Sequence, residues 1–586
     1  MRPPAVARAG VSSRRAVGLY RRALRVGAPL VLLLGVLLRL LLLGTPESLE
    51  MDEQMLAVSI ATRPAWALLA PLELQQVAAP LFLLLERAVV VVAGVRDTAF
   101  RVVPFVAAAA TPFVVLLFAR AMRLRAEPRL LAVAVACLAP EPLLFAAVAK
   151  PYAMDALVAA LLVLLAARLL DAPEERARWA WLIAGGVVAL ALSVPAVFVL
   201  AGVGAALLAS PRVRRWPGAW RPIALAAALW AATFGTLYFT VYRPASGDAG
   251  LRRFWAGHYL ADQLTSADGP GAVASALADV VAVPLVGVGE VVPTRYLLLL
   301  VPLLTLAGWA WLARRRGLAP ALLVLIPVVA GVAASLLRAY PLRGRLLQFT
   351  APLLCVAIGA GAWAVCGARR GAARRAAFVL LAAALLLPAL RHSVFRLRHA
   401  AQWDAAAPIA RDLLARAPEG ASVYVYARGA PAWLLYSTDW RAPDTARVAR
   451  LLGAMRRLGF NSGYVPSRGD SVGEREGADL VFPFGEGQEL IGVPPGTGPD
   501  DAGRASPDPD PGWAEHEARR IRAAARPEVW LYLTHIRPEV ATRLLDAVRA
   551  AGGRETYVRT LHDTRVYRFT FPDYDGAPRD ERGGQS

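Results

Sequence analysis

The stretch "APLVLLLGVLLRLLLLGTPESLEMDEQM" (residues 28–55) decides the fold class, because a long apolar run is followed at once by a pair of carboxylates. The apolar part has the length and composition of a membrane span. Arginines precede it and no small-residue cleavage site follows it, so we interpret it as an uncleaved first span rather than a secretory signal. Asp52 and Glu53 then lie just outside the membrane, where carboxylates are costly unless they are solvated, paired or used.

The composition of the whole chain indicates a polytopic α-helical membrane protein that also carries soluble mass. Hydrophobic residues make up 57% of the 586 residues, and the mean hydropathy is positive. Apolar runs separated by polar breaks predict about eleven spans. These lie near 28–44, 102–119, 130–147, 156–170, 179–192, 195–209, 221–240, 296–312, 319–337, 346–366 and 376–390.

The formal net charge of +21 comes from arginines that gather in short loops between the apolar runs. This is the positive-inside pattern of a membrane protein and not a nucleic-acid-binding patch. The Arg-rich loops share one side only if the apolar stretch 79–94, which contains Glu86 and Arg87, lies at the membrane interface without crossing. The outward-facing loops are then 45–101, 148–155, 241–295 and 338–345, together with the chain after Arg391.

This topology divides the chain into a basic cytoplasmic N-terminus (1–27), a transmembrane domain with an external catalytic loop at 45–101 (28–391), and an extracytoplasmic domain (392–586). The last region predicts a small α/β domain. Its elements are strands in 421–429 and 528–536, helices in 515–527 and 538–553, and a hairpin in 554–571. Its Pro-, Gly- and Asp-rich stretch 492–512 predicts a mobile loop. The expected location is a bacterial plasma membrane.

The three cysteines, Cys137, Cys355 and Cys366, all lie in apolar stretches. The soluble domain therefore has neither a disulfide framework nor a cysteine-based metal site.

The sequence "KPYAMDAL" (150–157) contains the only lysine of the chain. Lysine is a compact point charge suited to a phosphate oxygen. Asp155 begins an apolar helix and also fits a first-turn acid that faces the helix dipole. Outward-facing arginines such as Arg101 and Arg345 are usually snorkelling anchors, but several that converge on carboxylates would bind a lipid phosphate. The carboxylates themselves also fit ordinary loop charges.

The order of these features resembles the GT-C membrane glycosyltransferases, above all the family 39 protein mannosyltransferases and the aminoarabinose transferase of lipid A. The resemblance rests on the first span, the pair in "EMDEQM", the segment after Pro80, the Arg-led span from "FRVVPFV", "KPYAMDAL" and "YPLRGRLLQFTAP", and it covers roughly residues 28–390. It implies inverting transfer of a sugar from a polyprenyl-phosphate donor to a protein, glycan or lipid acceptor outside the cytoplasm.

The resemblance also implies roles for individual residues. Asp52 would be the catalytic base, Glu53 would support it and Asp155 would be the second acid of the site. The candidates for binding the donor phosphate are Lys150, Arg101, Arg345, Tyr152 and Tyr340. No cofactor is certain, and a divalent metal would bind only if Asp52, Glu53 and Asp155 converged with further oxygen ligands.

The chain departs from the family pattern in two places. It has "QQVAAPLF" (75–82) where relatives often carry a histidine or paired prolines, and the domain after Arg391 matches no signature.

Three alternatives remain open at the level of sequence. A lipid or polysaccharide transporter or flippase would place charges near the bilayer midplane, whereas the acidic residues here cluster at one face. A polymer ligase would use the large external segment 241–295. A non-catalytic assembly protein would use the α/β domain to bind the envelope.

Overall fold

The computed structural model describes residues 5–45, 48–247, 249–265, 269–286, 295–368, 371–398, 405–457, 480–484, 487–492, 512–525 and 528–572.

Within those ranges, eight helical segments are long and apolar enough to cross a membrane. They are Val26–Leu43, Asp97–Ala121, Tyr152–Asp171, Trp220–Ser246, Tyr296–Arg316, Leu318–Leu336, Gly344–Val365 and Gly371–Phe395. Together with a sheet-containing C-terminal part, they confirm the predicted fold class, a polytopic helical membrane protein with a C-terminal α/β domain.

The other three predicted spans are helices of 13, 17 and 14 residues, namely Ala126–Leu138, Arg176–Leu192 and Ala196–Ala209. Helices of that length reach about 20–25 Å, but the contacts at their ends show that the chain still runs between the two ends of the span Tyr152–Asp171. Before the first helix Arg123 pairs with Asp171, and after it the chain reaches Lys150, two residues before Tyr152. Ser193, between the other two helices, interacts with Asp155, and Arg212, after them, donates a hydrogen bond to the carbonyl oxygen of Asp171. Two prolines lie at the ends of these helices. Pro140 follows the first helix, and Pro195 lies between the other two. The stretch predicted to lie at the membrane interface, 79–94, is observed as the 14-residue helix Pro80–Ala93.

The helices of the membrane part are numbered in chain order. They are α1 (Ala5–Leu43), α2 (Met51–Thr62), α3 (Pro80–Ala93), α4 (Asp97–Ala121), α5 (Ala126–Leu138), α6 (Pro140–Leu144), α7 (Tyr152–Asp171), α8 (Arg176–Leu192), α9 (Ala196–Ala209), α10 (Pro211–Arg215), α11 (Trp220–Leu237), α12 (Arg243–Ser246), α13 (Ala249–Trp255), α14 (Leu260–Leu264), α15 (Gly269–Val286), α16 (Arg295–Arg316), α17 (Leu318–Leu336), α18 (Ala351–Val365) and α19 (Gly371–Arg398). A π-helical turn, Tyr238–Tyr242, joins α11 to α12, and a 3₁₀ turn, Gly344–Thr350, precedes α18.

Two spans form the interior of the membrane part. The span Tyr152–Asp171 is 78% buried and the span Gly344–Val365 is 94% buried, whereas Trp220–Ser246 is only 11% buried. Tyr152 is the first residue of one interior span and Arg345 is the second residue of the other, so both predicted site residues lie on the two most buried of the eight spans.

The C-terminal domain is built around a mixed sheet with the strand order β2-β3-β1-β4-β6-β5. The strands are β1 (Ser422–Val425), β2 (Val481–Phe484), β3 (Gly487–Ile491), β4 (Glu528–Leu533), β5 (Arg554–Leu561) and β6 (Thr564–Thr570). Strand β1 pairs in parallel with β3 and β4, in register Val423 with Glu489 and Val423 with Trp530, while β6 pairs antiparallel with β4 and β5. The helices of the domain are α20 (Ala406–Arg416), α21 (Ala430–Ser437), α22 (Thr445–Arg457), α23 (Trp513–Ala524) and α24 (Pro538–Ala550).

The predicted strands, helices and terminal hairpin of this domain are therefore observed with small shifts at their ends. The stretch expected to be a mobile loop, 492–512, lies outside the described residues except for its first and last positions.

The chain between the first span and α4 packs into the core of the C-terminal domain. Met55, Val58 and Leu74 are buried in one hydrophobic cluster with Trp433 and Met455. The two parts of the molecule are consequently joined next to Asp52.

Candidate active site

Asp52 lies in the first turn of α2, where the helix dipole favours a negative charge. Its Oδ2 atom accepts a hydrogen bond of 2.8 Å from Nη1 of Arg345 and lies 3.8 Å from Nζ of Lys150. The side chain keeps 17% of its surface exposed. The site thus consists of one accessible carboxylate flanked by two cations.

Arg345 reaches Asp52 because the chain before α18 packs closely on its neighbour. A Cβ atom on Gly344 would lie 2.3 Å from Cγ1 of Val283, so only glycine allows this approach. The Arg345 guanidinium lies 6.0 Å from the ring centroid of Tyr152, a cation–π distance, and the Tyr152 ring packs edge-on against Phe145. Tyr152 therefore contacts Arg345 and helps to fix the position of its guanidinium.

Lys150 is buried, and its ammonium donates a hydrogen bond of 2.6 Å to Oε1 of Gln76. Burial lowers the pKa of Lys150 below the ordinary lysine value, although the Asp52 carboxylate acts in the opposite direction. Gln76 belongs to the "QQ" sequence that departs from the family pattern. No pattern in the sequence predicts its contact with Lys150.

Burial opposes ionisation of Asp52, but the positive charges of Lys150 and Arg345, with the hydrogen bonds to the carboxylate, outweigh burial. The pKa of Asp52 is therefore below its ordinary value, and the group is a carboxylate at neutral pH.

Glu53 occupies a different environment from Asp52 although the two are adjacent in sequence. Its side chain is 2% exposed, and its carboxyl accepts hydrogen bonds from the backbone N–H groups of Glu50 and Ala149. Burial raises the pKa of Glu53 to about 8, against the opposing effect of Arg101. Glu53 thus ties the start of α2 to the turn that carries Lys150.

Arg101 is buried on the α4 side of Glu53, and its Nη2 donates a hydrogen bond of 3.1 Å to the carbonyl oxygen of Ser48. The structure brings it to Glu53 rather than to the pair formed by Asp52 and Arg345.

Asp155 lies one turn after Tyr152 on the inner face of α7, and it is 5% exposed. Its carboxyl interacts electrostatically with Ser193, Tyr242 and Tyr340. Among the described residues, Oδ1 of Asp155 has no hydrogen-bond partner. The Tyr340 hydroxyl donates a hydrogen bond of 2.8 Å to the carbonyl oxygen of Leu346, which orders the approach to Arg345.

In the part of the chain that the structure covers, no group of three His, Cys, Asp or Glu side chains is placed to hold a metal ion. Asp52, Glu53 and Asp155 accordingly do not converge on one point. The site therefore offers an ionised carboxylate, Asp52, next to two cations, Arg345 and Lys150.

Comparison with known proteins gives structural matches only. No protein-family model matches the chain, and no curated protein matches its sequence. The structure of ArnT from Cupriavidus metallidurans in the apo state aligns over 94% of this chain and 98% of that chain, with 12% identity and a TM-score of 0.49. The same protein bound to undecaprenyl phosphate aligns over 92% and 97%, with 12% identity and a TM-score of 0.49. The oligosaccharyltransferase AglB from Archaeoglobus fulgidus, in complex with an inhibitory peptide and a dolichol-phosphate, aligns over 70% and 63%, with 12% identity and a TM-score of 0.42.

Proposed function

We propose that this chain is a membrane glycosyltransferase of the GT-C type that transfers a sugar, with inversion, from a polyprenyl-phosphate donor to an acceptor hydroxyl at the extracytoplasmic face. The observation that carries the proposal is the position of Asp52, whose Oδ2 lies 2.8 Å from Nη1 of Arg345 and 3.8 Å from Nζ of Lys150. The sequence resemblance described above supports the same reaction.

In the proposed reaction, the acceptor oxygen attacks the anomeric carbon of the sugar. A new carbon–oxygen bond forms while the bond to the phosphate oxygen breaks, and the electron pair leaves with the polyprenyl phosphate. Asp52 takes the proton of the acceptor hydroxyl, and Arg345 and Lys150 stabilise the charge on the departing phosphate. We assign Asp155, in the first turn of α7, to hydrogen bonding with the sugar hydroxyls.

The two cations lower the proton affinity of Asp52, and a bound donor phosphate counteracts this effect. They lower the pKa of Asp52 in the free protein, which makes it a weak base. A donor phosphate bound between them adds negative charge next to Asp52 and therefore raises its affinity for a proton. Asp52 becomes an effective base when the donor is in place.

The first span contains a buried charge, Arg39, but this residue does not favour the transporter alternative. Arg39 is 1% exposed, and its guanidinium donates hydrogen bonds to the carbonyl oxygens of Gly35, Ala136 and Cys137. Because Ala136 and Cys137 lie in the last turn of α5, this arginine satisfies a helix C-terminus.

The test is the Asp52→Asn variant of the purified chain in liposomes with undecaprenyl-phosphate mannose, and with undecaprenyl-phosphate glucose in parallel, with water as the acceptor hydroxyl. Release of undecaprenyl phosphate should fall by about 10²- to 10⁴-fold, the usual contribution of a general base. Asp262→Asn is the matched control, since Asp262 also pairs with an arginine, Arg338 at 2.7 Å, outside the site. Undiminished release by the Asp52→Asn variant would remove this residue from the mechanism.

A further inference from the structure

The C-terminal domain contacts the first external loop through a two-pronged ion pair. Arg456, in the last turn of α22, donates from Nε to Oε2 of Glu73 at 2.8 Å and from Nη2 to Oε1 at 2.6 Å. Such a fork fixes the orientation of both side chains. Burial opposes ionisation of Glu73, but the hydrogen bonds from Arg456 and Arg63 hold its pKa below the ordinary value, so the pair is charged.

The loop that follows Glu73 has an unfavourable backbone. Leu74 and Gln75 have φ angles of 55° and 58°, the left-handed region that non-glycine residues rarely adopt. Such a conformation persists only when its surroundings hold it. Here the Leu74 side chain is buried with Met455 in the core of the C-terminal domain. The loop conformation therefore depends on the docked domain.

Gln76 connects this loop to the site. Its backbone N–H donates to the carbonyl oxygen of Glu73 at 3.3 Å, and its side-chain Oε1 accepts the hydrogen bond of 2.6 Å from Lys150. A continuous series of contacts thus runs from Arg456 through Glu73 and Gln76 to the ammonium that lies 3.8 Å from Asp52.

The loop is not closely packed on all sides. A cavity of about 260 Å³ lies beside it, lined on one side by residues 71–77 and on the other by Pro244, Leu251, Met455 and Arg456. The loop has room to move into this space if the ion pair is released.

We propose that the C-terminal α/β domain positions Lys150 for an anionic lipid phosphate, with Arg456, Glu73 and Gln76 as the positioning residues. The phosphate site is then complete only while the domain is docked. The identity of the ligand as a lipid phosphate rests on the proposed function.

The experiment measures binding of undecaprenyl phosphate, without a sugar, to the full chain in nanodiscs. Arg456→Ala and Glu73→Gln should each weaken binding by about 5- to 20-fold, because a displaced Lys150 ammonium loses only part of a hydrogen bond to a charged group, whose full loss is about 10- to 100-fold. Arg456→Lys keeps the charge but loses the fork, and it should give a smaller loss. Arg416→Ala is the matched control, because Arg416 is 53% exposed and pairs with the buried Asp412, as Arg456 is 60% exposed and pairs with the buried Glu73. The control should bind within about twofold of the wild type.

A double mutant separates positioning from general destabilisation. Gln76→Leu removes the acceptor for Lys150, so adding Arg456→Ala to it should produce little further loss. Fully additive losses, or wild-type affinity in both Arg456→Ala and Arg456→Lys, would overturn the inference while the proposed function stands. Failure of the wild-type chain to bind undecaprenyl phosphate would instead contradict the proposed function itself.

Discussion

Oδ2 of Asp52 lies 2.8 Å from Nη1 of Arg345, although 293 residues separate the two in the sequence. This contact joins the chain that follows the first span to the start of the most buried span. It also brings together the proposed base and a cation proposed to bind the donor phosphate, and each can be tested separately.

Substitution of Arg345 should weaken binding of the lipid phosphate and also lower turnover, because Arg345 is assigned to the charge on the departing phosphate. Arg345→Ala should weaken binding of undecaprenyl phosphate by about 10- to 100-fold, because a hydrogen bond to a charged group contributes about 1.5–3 kcal/mol. The measurement is a binding titration in nanodiscs together with kcat for sugar release at saturating donor. Arg338→Ala, which removes an exposed arginine paired with Asp262, should bind the lipid normally. Equal binding by both variants would exclude Arg345 from the phosphate site.

Lys150 predicts an alkaline limit for donor binding. Its pKa is lowered by burial from the ordinary 10.5, so the ammonium is present below this lowered value and is lost as the pH rises through it. Affinity for undecaprenyl phosphate should therefore fall at a lower pH than a free lysine would dictate. Lys150→Arg should bind the lipid with no such limit, because a guanidinium stays charged over the whole range. An identical pH profile for wild type and Lys150→Arg would contradict the assignment.

Glu53 predicts a stability effect rather than a direct catalytic one. Glu53→Ala leaves the N–H groups of Glu50 and Ala149 without their buried acceptor, and it should destabilise the fold by about 1–3 kcal/mol. Thermal unfolding in detergent measures the loss. Glu175→Ala is the control, since Glu175 forms an exposed pair with Arg178 and should change stability by less than about 0.5 kcal/mol.

The pKa of Glu53, about 8 in the folded protein, also gives a sign to the pH dependence of stability. The folded state holds this proton above pH 4.5, the ordinary glutamate value, where the unfolded state releases it. The contribution of Glu53 to stability therefore falls as the pH rises from 4.5 towards 8. Comparing the melting temperatures of wild type and Glu53→Ala at the two ends of this window tests the sign; a difference that grows with pH would contradict it.

Asp155 should contribute less to turnover than Asp52. Asp155→Asn should lower kcat/KM by about tenfold, the value of one hydrogen bond to a sugar hydroxyl, because its carboxyl lies among Ser193, Tyr242 and Tyr340 and away from the two cations. Undecaprenyl phosphate without a sugar should bind this variant as tightly as the wild type. A loss of sugar-free lipid binding would move Asp155 into the phosphate site.

Part of the candidate site was predictable, because unusual chemistry stands out against an apolar and arginine-rich background. The single lysine and the carboxylate pair after the first span are visible in any reading of the chain. The difference between Asp52 and Glu53 was not, since only the fold buries one of them against two backbone N–H groups. Gln76 carried no signal of its own beyond its departure from the family pattern.

The membrane class, the position of most helices and the elements of the C-terminal domain follow from the amino-acid sequence alone. These properties depend on the length and periodicity of apolar runs, because hydrophobic burial and backbone hydrogen bonding act between residues close in the sequence. The tertiary structure was needed to establish which charges meet, which predicted spans are helices of fewer than 18 residues, and that Arg456 reaches the loop beside Lys150. Contacts between residues hundreds of positions apart depend on how whole helices pack, and no local pattern records that arrangement.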